Sequence, residues 1–267
     1  MDQKDYLTNK LKKFGLDDAK PRSTPCEVSE YESVDEAEID DEYGCMVGSI
    51  IYAMTCTRPD LSWVVTKLSQ YMCNPQPVHK SMLKHVFRYL LGSLDRNLTF
   101  TKSTELRISG YSDADWGTSK EDRKSISGYY FTLNKDGPAI SWKTKKQTTI
   151  ALSSCESEYI ALTFAAKEAL YLKQLIEELI FDTSLIVQLN VDNQGAISLA
   201  RNPVQHQRSK HFDIKLHFIR DIVEKNLIKI SYVTSNDNIA DLMTKPCTKI
   251  KLRKFEEMLF GVNVAKC

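Results

Sequence analysis

The chain has 267 residues, 42% hydrophobic and 27% charged, which excludes a disordered chain and leaves room for more than one core. The net charge of +1 is unevenly spread: residues 27–42 hold nine acidic residues and no basic one, and the chain beyond them carries 30 basic against 22 acidic, a net of +8. A body of that sign is compatible with a polyanionic partner without singling one out. No apolar run approaches the ~20 residues that cross a bilayer, and the charged N-terminus is not a signal peptide, so an intracellular protein with no membrane partner is expected.

In chain order, residues 5–16 predict a short amphipathic helix ended by Gly15. The Pro- and Ser-bearing stretch that follows leads into the acidic run, whose like charges and few apolar residues predict a poorly ordered linker over 26–42. Apolar residues then recur at helical spacing over 46–56, 60–73 and 79–91, punctuated by Pro59, Pro75 and Pro77, so a helical module is expected over 43–103.

From residue 104 the texture changes. Residues 106–116, 126–133 and 139–153 read as strands bounded by turn residues, and a long helix follows over 154–179. Strand 185–193, helix 193–202, helix 209–226, strand 228–235 and a helix starting at an acidic cap near Asp237 complete the order up to 245, with a helical tail over 246–267. Three strands, a helix and then strand–helix alternation imply an α/β fold, a mixed sheet with helices packed on it. Seven cysteines without a CxxC pair read as reduced, mostly structural thiols. Trp116 and Trp142 are expected in the core.

The anomaly lies in the long helix. Leu162, Ala165, Ala169, Leu172, Ile176 and Leu179 form one stripe, and the turn before it carries Glu158 where an apolar residue belongs. Glu156, ~200° around the helix at ~100° per residue, should face away and be the more exposed. A carboxylate heading a core-facing stripe is costly unless paired, hydrated or metal-bound. The bland reading is a helix-end glutamate near solvent.

Further carboxylates stand at element ends. Asp113 and Asp115 close the first strand on one face, Asp192 closes the fourth strand directly before a helix, where an Asp is often only a cap, and Asp241 lies among Ile239, Ala240 and Leu242. Together in one mixed sheet they are better explained as a single acidic cluster, with Asp115 the rival of Asp113. Hard oxygen donors without nearby Cys or His favour Mg²⁺ or Mn²⁺ over zinc.

YSDADW, SSCESEYIAL, VDNQGAI and NDNIADLMTK, in that order, resemble the ribonuclease H domain of copia-type retrotransposon Pol polyproteins over residues 104–245. Upstream, residues 48–93 resemble the stretch joining polymerase to nuclease in those proteins, and residues 6–25 the last segment of the reverse transcriptase. The resemblance implies a ribonuclease H-like five-stranded mixed sheet flanked by helices, preceded by a small helical, thumb- or connection-like module. Residues 1–25 would then be the end of the polymerase, and the whole chain a C-terminal piece of Pol. The family's D-E-D-D set falls on Asp113, Glu158, Asp192 and Asp241, and implies two Mg²⁺ ions and an endonuclease cutting the RNA strand of RNA–DNA hybrids. It further implies the upstream polymerase part as a partner, and a cytoplasmic particle or the nucleus as the setting.

Two departures qualify this. The segment ISYVTSNDNIAD lacks the histidine that many ribonucleases H carry before the last aspartate, and no YxDD motif occurs, so reverse transcription by this chain alone is not expected. Hybrid would be held mainly by phosphate and 2′-hydroxyl contacts, for which Arg123, Lys124, Lys143, Lys145, Lys146 and His211 are candidates; a merely solvated basic surface is the alternative. His211 and His217, six residues apart, do not share a helical face as zinc ligands would. The competing functions are a non-catalytic, transposon-derived binding module, and a transposase or integrase core. The D-E-D-D order disfavours the latter, which places its glutamate last.

Overall fold

A computed structural model describes residues 1–27, 40–102, 106–119, 121–134, 137–180, 185–201 and 210–261, the side chains of 210 and 211 excepted. Most of the acidic run, residues 28–39, lies outside the described residues. The chain divides into two compact units, Met1–Phe100 with Lys245–Cys267, and Thr101–Thr244.

The first unit is helical. Helix α1 (Lys4–Lys13) buries Leu7 and Leu11 and gives way at Gly15, whose φ of 62° is the left-handed state that glycine adopts most readily. Helix α2 (Asp41–Cys56) starts where Asp40 accepts the Tyr43 amide at 2.9 Å. The spacing predicts one helix over 60–73; instead a 3₁₀ turn (Pro59–Leu61) precedes a shorter α3 (Ser62–Ser69). Its tight geometry folds the Asp60 carboxylate back onto the Arg58 guanidinium, at 2.8 and 3.0 Å. Helix α4 (Pro77–Leu91) begins two residues before the expected 79, because Pro77 is pre-shaped for a first turn and Gln76 and His79 cap each other.

The second unit is the expected α/β fold. Strands β1 (Ser109–Asp115), β2 (Ile126–Thr132) and β3 (Ala139–Lys146) run antiparallel in succession. Helix α5 (Ser154–Ile180) crosses to β4 (Val187–Val191), then α6 (Gln194–Arg201), α7 (Lys210–Glu224) and β5 (Ile228–Tyr232) follow. The sheet order is β3-β2-β1-β4-β5, with β4 parallel to both β1 and β5, the five-stranded mixed sheet that the resemblance implies. Tyr129, Phe131, Leu162, Ala165, Ala169, Leu189, Leu216 and Ile230 share its core. The predicted α5 stripe is buried through Leu172 and half-buried at Ile176 but runs out at Leu179, which is exposed near the end of the helix.

Two expectations fail here. Trp116 is 52% exposed and Trp142 only half-buried, since one follows the end of β1 and the other sits on edge strand β3. The segment after β5 is a 3₁₀ turn (Ile239–Met243) capped by Asn238, not a helix capped by Asp237, whose carboxylate is used by the Thr234 hydroxyl at 2.7 Å. Helices α8 (Lys249–Lys254) and α9 (Glu256–Phe260) belong to the first unit, where Arg96 meets Glu256 at 3.1 Å and the Thr99 amide donates to the Phe260 carbonyl at 2.7 Å. The six described cysteines are free thiols; burial pushes those of Cys26 and Cys247 up to about 12.

Candidate metal centre

Strand β1 lies in the middle of the sheet and delivers Asp113 near its end, opposite Gly128 of β2. A Cβ on Gly128 would fall 2.5 Å from Met243 Cβ and 2.8 Å from Thr244 Cγ2. The bare backbone there is what lets the 3₁₀ turn that carries Asp241 lie against the sheet.

Helix α5 begins with a reciprocal cap. Ser153 Oγ accepts the Glu156 amide at 3.1 Å, and Glu156 Oε2 reaches back to the Leu152 amide at 2.9 Å. Glu156 is thus occupied at the helix end and half-exposed, while Glu158, two residues on, is 7% exposed. At the end of β4 the capping role for α6 falls to Asn193, which accepts the Ala196 amide at 2.9 Å. That removes the capping explanation for Asp192, its neighbour.

Asp113, Glu158 and Asp192 each offer a carboxylate oxygen, and these oxygens all lie within 4.8 Å of one another. Asp113 and Glu158 are buried and Asp192 half-exposed, so the group opens to solvent on one side. Asp115 and Asp241 are not in this group. Asp241 is nevertheless buried nearby, because Thr244 Oγ1 hydrogen-bonds Asp113 Oδ2 and lies 3.2 Å from the Asp241 carbonyl.

Three neutral side chains that the sequence reading passed over hold these carboxylates in place. Beside Thr244, the buried Asn238 donates to the Ser112 carbonyl at 2.9 Å, tying the 3₁₀ turn to the residue before Asp113. Gln147 donates to Ser127 Oγ at 2.9 Å and to the Ser157 carbonyl at 3.0 Å, tying β2 to the turn that carries Glu158. No local pattern marks Thr244 or Gln147, since their partners lie far along the chain. Three oxygen donors this close suit a hard divalent cation, and the donor set contains neither thiolate nor imidazole.

The basic candidates divide. Lys146 and Lys124 pair with Asp122 at 3.0 and 3.4 Å. Lys145 is exposed with its ammonium 5.6 Å from the Phe164 ring centre, and Lys143 is exposed on the same edge strand. Arg123 is exposed on a turn with φ 54°. The side chain of His211 lies outside the described residues, and His217 faces solvent 3.7 Å from Asp213. Among the described residues no helix is long and apolar enough to cross a membrane.

No protein-family model matches the chain. It is 36% identical over 270 residues to the retrovirus-related Pol polyprotein from transposon TNT 1-94 of Nicotiana tabacum, covering 97% of this chain and 20% of that protein. It is 35% identical over 267 residues to that of transposon RE2 of Arabidopsis thaliana, covering 99% of this chain and 18% of that protein. Among solved structures, LC11-RNase H1, isolated from compost by a metagenomic approach, aligns with a TM-score of 0.40 at 15% identity, over 52% of this chain and 94% of that one. The chain spans about a fifth of the length of the curated relatives it matches. Over nearly its whole length the chain is thus similar in sequence to part of the Pol polyproteins of copia-type retrotransposons.

Proposed function

We propose that this chain is a divalent-metal-dependent endonuclease that cuts the RNA strand of RNA–DNA hybrids, acting as the nuclease part of a copia-type Pol. The observation that carries this reading is the convergence of Asp113, Glu158 and Asp192 within 4.8 Å at one open edge of the sheet unit. Asp241 completes the ligand set from the 3₁₀ turn that Thr244 and Asn238 tether to β1. Mg²⁺ is the ion these oxygens fit, two of them in the full set, and Mn²⁺ the substitute.

When bound, such ions supply an activated water and neutralise charge on the leaving 3′-oxygen. The protein's own part is to fix the carboxylates before substrate arrives. Thr244 sets the rotation of the Asp113 carboxylate, Gln147 holds the first turn of α5, and Asn193 releases Asp192 from capping. The exposed Arg123, Lys143 and Lys145 offer phosphate contacts, which are sequence-independent and weaken with salt. The upstream polymerase part is the partner that raises affinity for hybrid.

Cleavage of a labelled hybrid decides the matter. Wild type is expected to need Mg²⁺ or Mn²⁺ and to leave 5′-phosphate and 3′-hydroxyl ends. Asp192→Asn should abolish cutting while leaving hybrid binding intact or stronger, because one negative charge facing the phosphates is gone. If folded wild type stays inactive with either ion, even with the polymerase part added in trans, the chain is a non-catalytic nucleic-acid-binding module instead.

A further inference from the structure

We propose that Trp116 and Arg123 form a ledge that holds the nucleic-acid strand beside the carboxylate group, the indole packing on a sugar and the guanidinium pairing with a phosphate. The proposal rests on the nucleic-acid substrate of the reading above; it adds Trp116 as a positioning residue and couples Arg123, already a phosphate-contact candidate, to it.

Trp116 follows the last residue of β1, three positions after Asp113, and is 52% exposed. Its ring is not loose. The indole Nε1 donates to the Ala151 carbonyl at 3.0 Å, in the loop that leads into α5 and so to Glu158. That loop also presents Ile150 and Leu152, 54% and 86% exposed. An indole pinned between the segments that deliver Asp113 and Glu158, yet half open to solvent, is an aromatic face held ready beside the site.

Arg123 supplies the charge. The turn from Gly117 to Ser125 is stitched by Gly117 N to Ser125 Oγ at 3.0 Å and Arg123 N to Ser119 O at 2.8 Å. It forces Arg123 to φ 54°, a backbone state that a residue with a Cβ adopts only when its surroundings impose it. The result is that Arg123 Nη2 lies 3.9 Å from where a Cβ on Gly117, the neighbour of Trp116, would stand. Lys124 and Lys146 are turned to Asp122, whereas Arg123 stands exposed with its guanidinium over Gly117, the residue after Trp116.

Distance and chemistry choose the occupant. Three residues of chain span at most about 11 Å, so Trp116 stands within that reach of Asp113. Nucleotides along a strand repeat every ~3.4 Å of axis, so a strand with a phosphate at the carboxylates has a sugar two or three steps away within reach of the indole. An aromatic face next to a guanidinium matches the alternation of sugar and phosphate along the backbone, and such packing tolerates any sequence.

The test is binding of a fluorescently labelled RNA–DNA hybrid to the full chain in EDTA, where nothing is cut. Trp116→Ala is expected to weaken binding roughly 5- to 100-fold and to remove most of the quenching of tryptophan emission by hybrid. Trp63 and Trp142 report the remainder. Trp116→Phe, which keeps a ring but loses the bond to Ala151, should retain most of the affinity. Arg123→Ala should weaken binding and lower the salt slope by about one. If wild type and Trp116→Ala bind alike with circular dichroism unchanged, or if wild type binds no hybrid at all, the ledge is overturned and the exposed indole belongs to a protein contact. Binding lost in Trp116→Ala while wild type never cuts would keep the ledge and sink the nuclease reading, so the two failures are told apart.

Discussion

The two units handle buried charge in opposite ways. In the helical unit, charges of opposite sign meet. Arg58, with no solvent exposure, is bidentate on Asp60, donates to Ser93 Oγ at 2.8 Å, and shares Asp60 with the Tyr89 hydroxyl, while Arg96 bridges Tyr89 to Glu256. In the sheet unit, charges of one sign gather: three carboxylates within 4.8 Å, held by neutral partners in Thr244, Asn238 and Gln147. The first arrangement is balanced within the protein and serves the fold. The second gathers like charges at a cost in self-repulsion, which a bound cation would relieve.

That contrast breaks most visibly at Asp60. Asp60→Asn leaves the Arg58 guanidinium buried without its counter-ion and should destabilise the chain by about 3–5 kcal/mol in urea unfolding. The loss should appear as faster amide exchange in α2 to α4 with β1 to β5 unaffected. The same pair predicts the pH response. Burial alone would raise the Asp60 pKa, but Arg58 and Arg96 outweigh it and hold the carboxyl below its usual 3.8. Because the folded value is the lower one, this stabilisation is complete above 3.8 and is lost as pH falls below it. An Asp60→Asn protein as stable as wild type at pH 7 would show that the buried pair contributes nothing.

The next largest effect is expected at Thr244, whose hydroxyl hydrogen-bonds Asp113 Oδ2 without belonging to the carboxylate group itself. Thr244→Val keeps the shape and deletes that hydrogen bond. Residues that orient a metal ligand are worth roughly 10- to 100-fold in affinity. Titration of Mn²⁺ by electron paramagnetic resonance should show a loss in that range, and Thr244→Ser should restore most of it. Equal Mn²⁺ affinity in all three proteins would mean that Asp113 is held by the sheet alone.

Much of this was legible in the sequence, and the limits have a physical cause. Period-two and period-3.6 patterns located all five strands and α5, and a stripe of small and branched apolar residues pointed to Glu158 because helical geometry is local. The cap at Ser153 and Glu156 was equally readable as S-x-x-E, and it explains why the two glutamates differ. What was hidden depends on contacts between distant residues. Thr244 is 131 positions from Asp113, and Gln147 acts through a backbone carbonyl, for which no residue type is diagnostic. Trp116 was misplaced because large aromatics are usually buried, a statistical habit that the end of a strand beside an open site does not obey. The helical unit yielded its helices but not its Arg58–Asp60 core, since a lone Arg and Asp read as surface.

The smallest effect is the sharpest test of the comparison, because it predicts an opposite sign for the same kind of substitution. Glu158→Gln removes one charge from a group of three without changing its volume. Two unit charges ~4 Å apart repel by about 1 kcal/mol even at the dielectric constant of water, and by more where Asp113 and Glu158 are buried. In EDTA the variant should therefore be more stable than wild type by at least that amount, seen as a rise in Tm. With saturating Mg²⁺ the order should reverse, since wild type gains the binding free energy of the ion and the variant gains less. Asp60→Asn, by contrast, should be less stable than wild type in both media. A Glu158→Gln protein that melts below wild type in EDTA would mean that the carboxylates are already balanced from within, and that the sheet unit resembles the helical one after all.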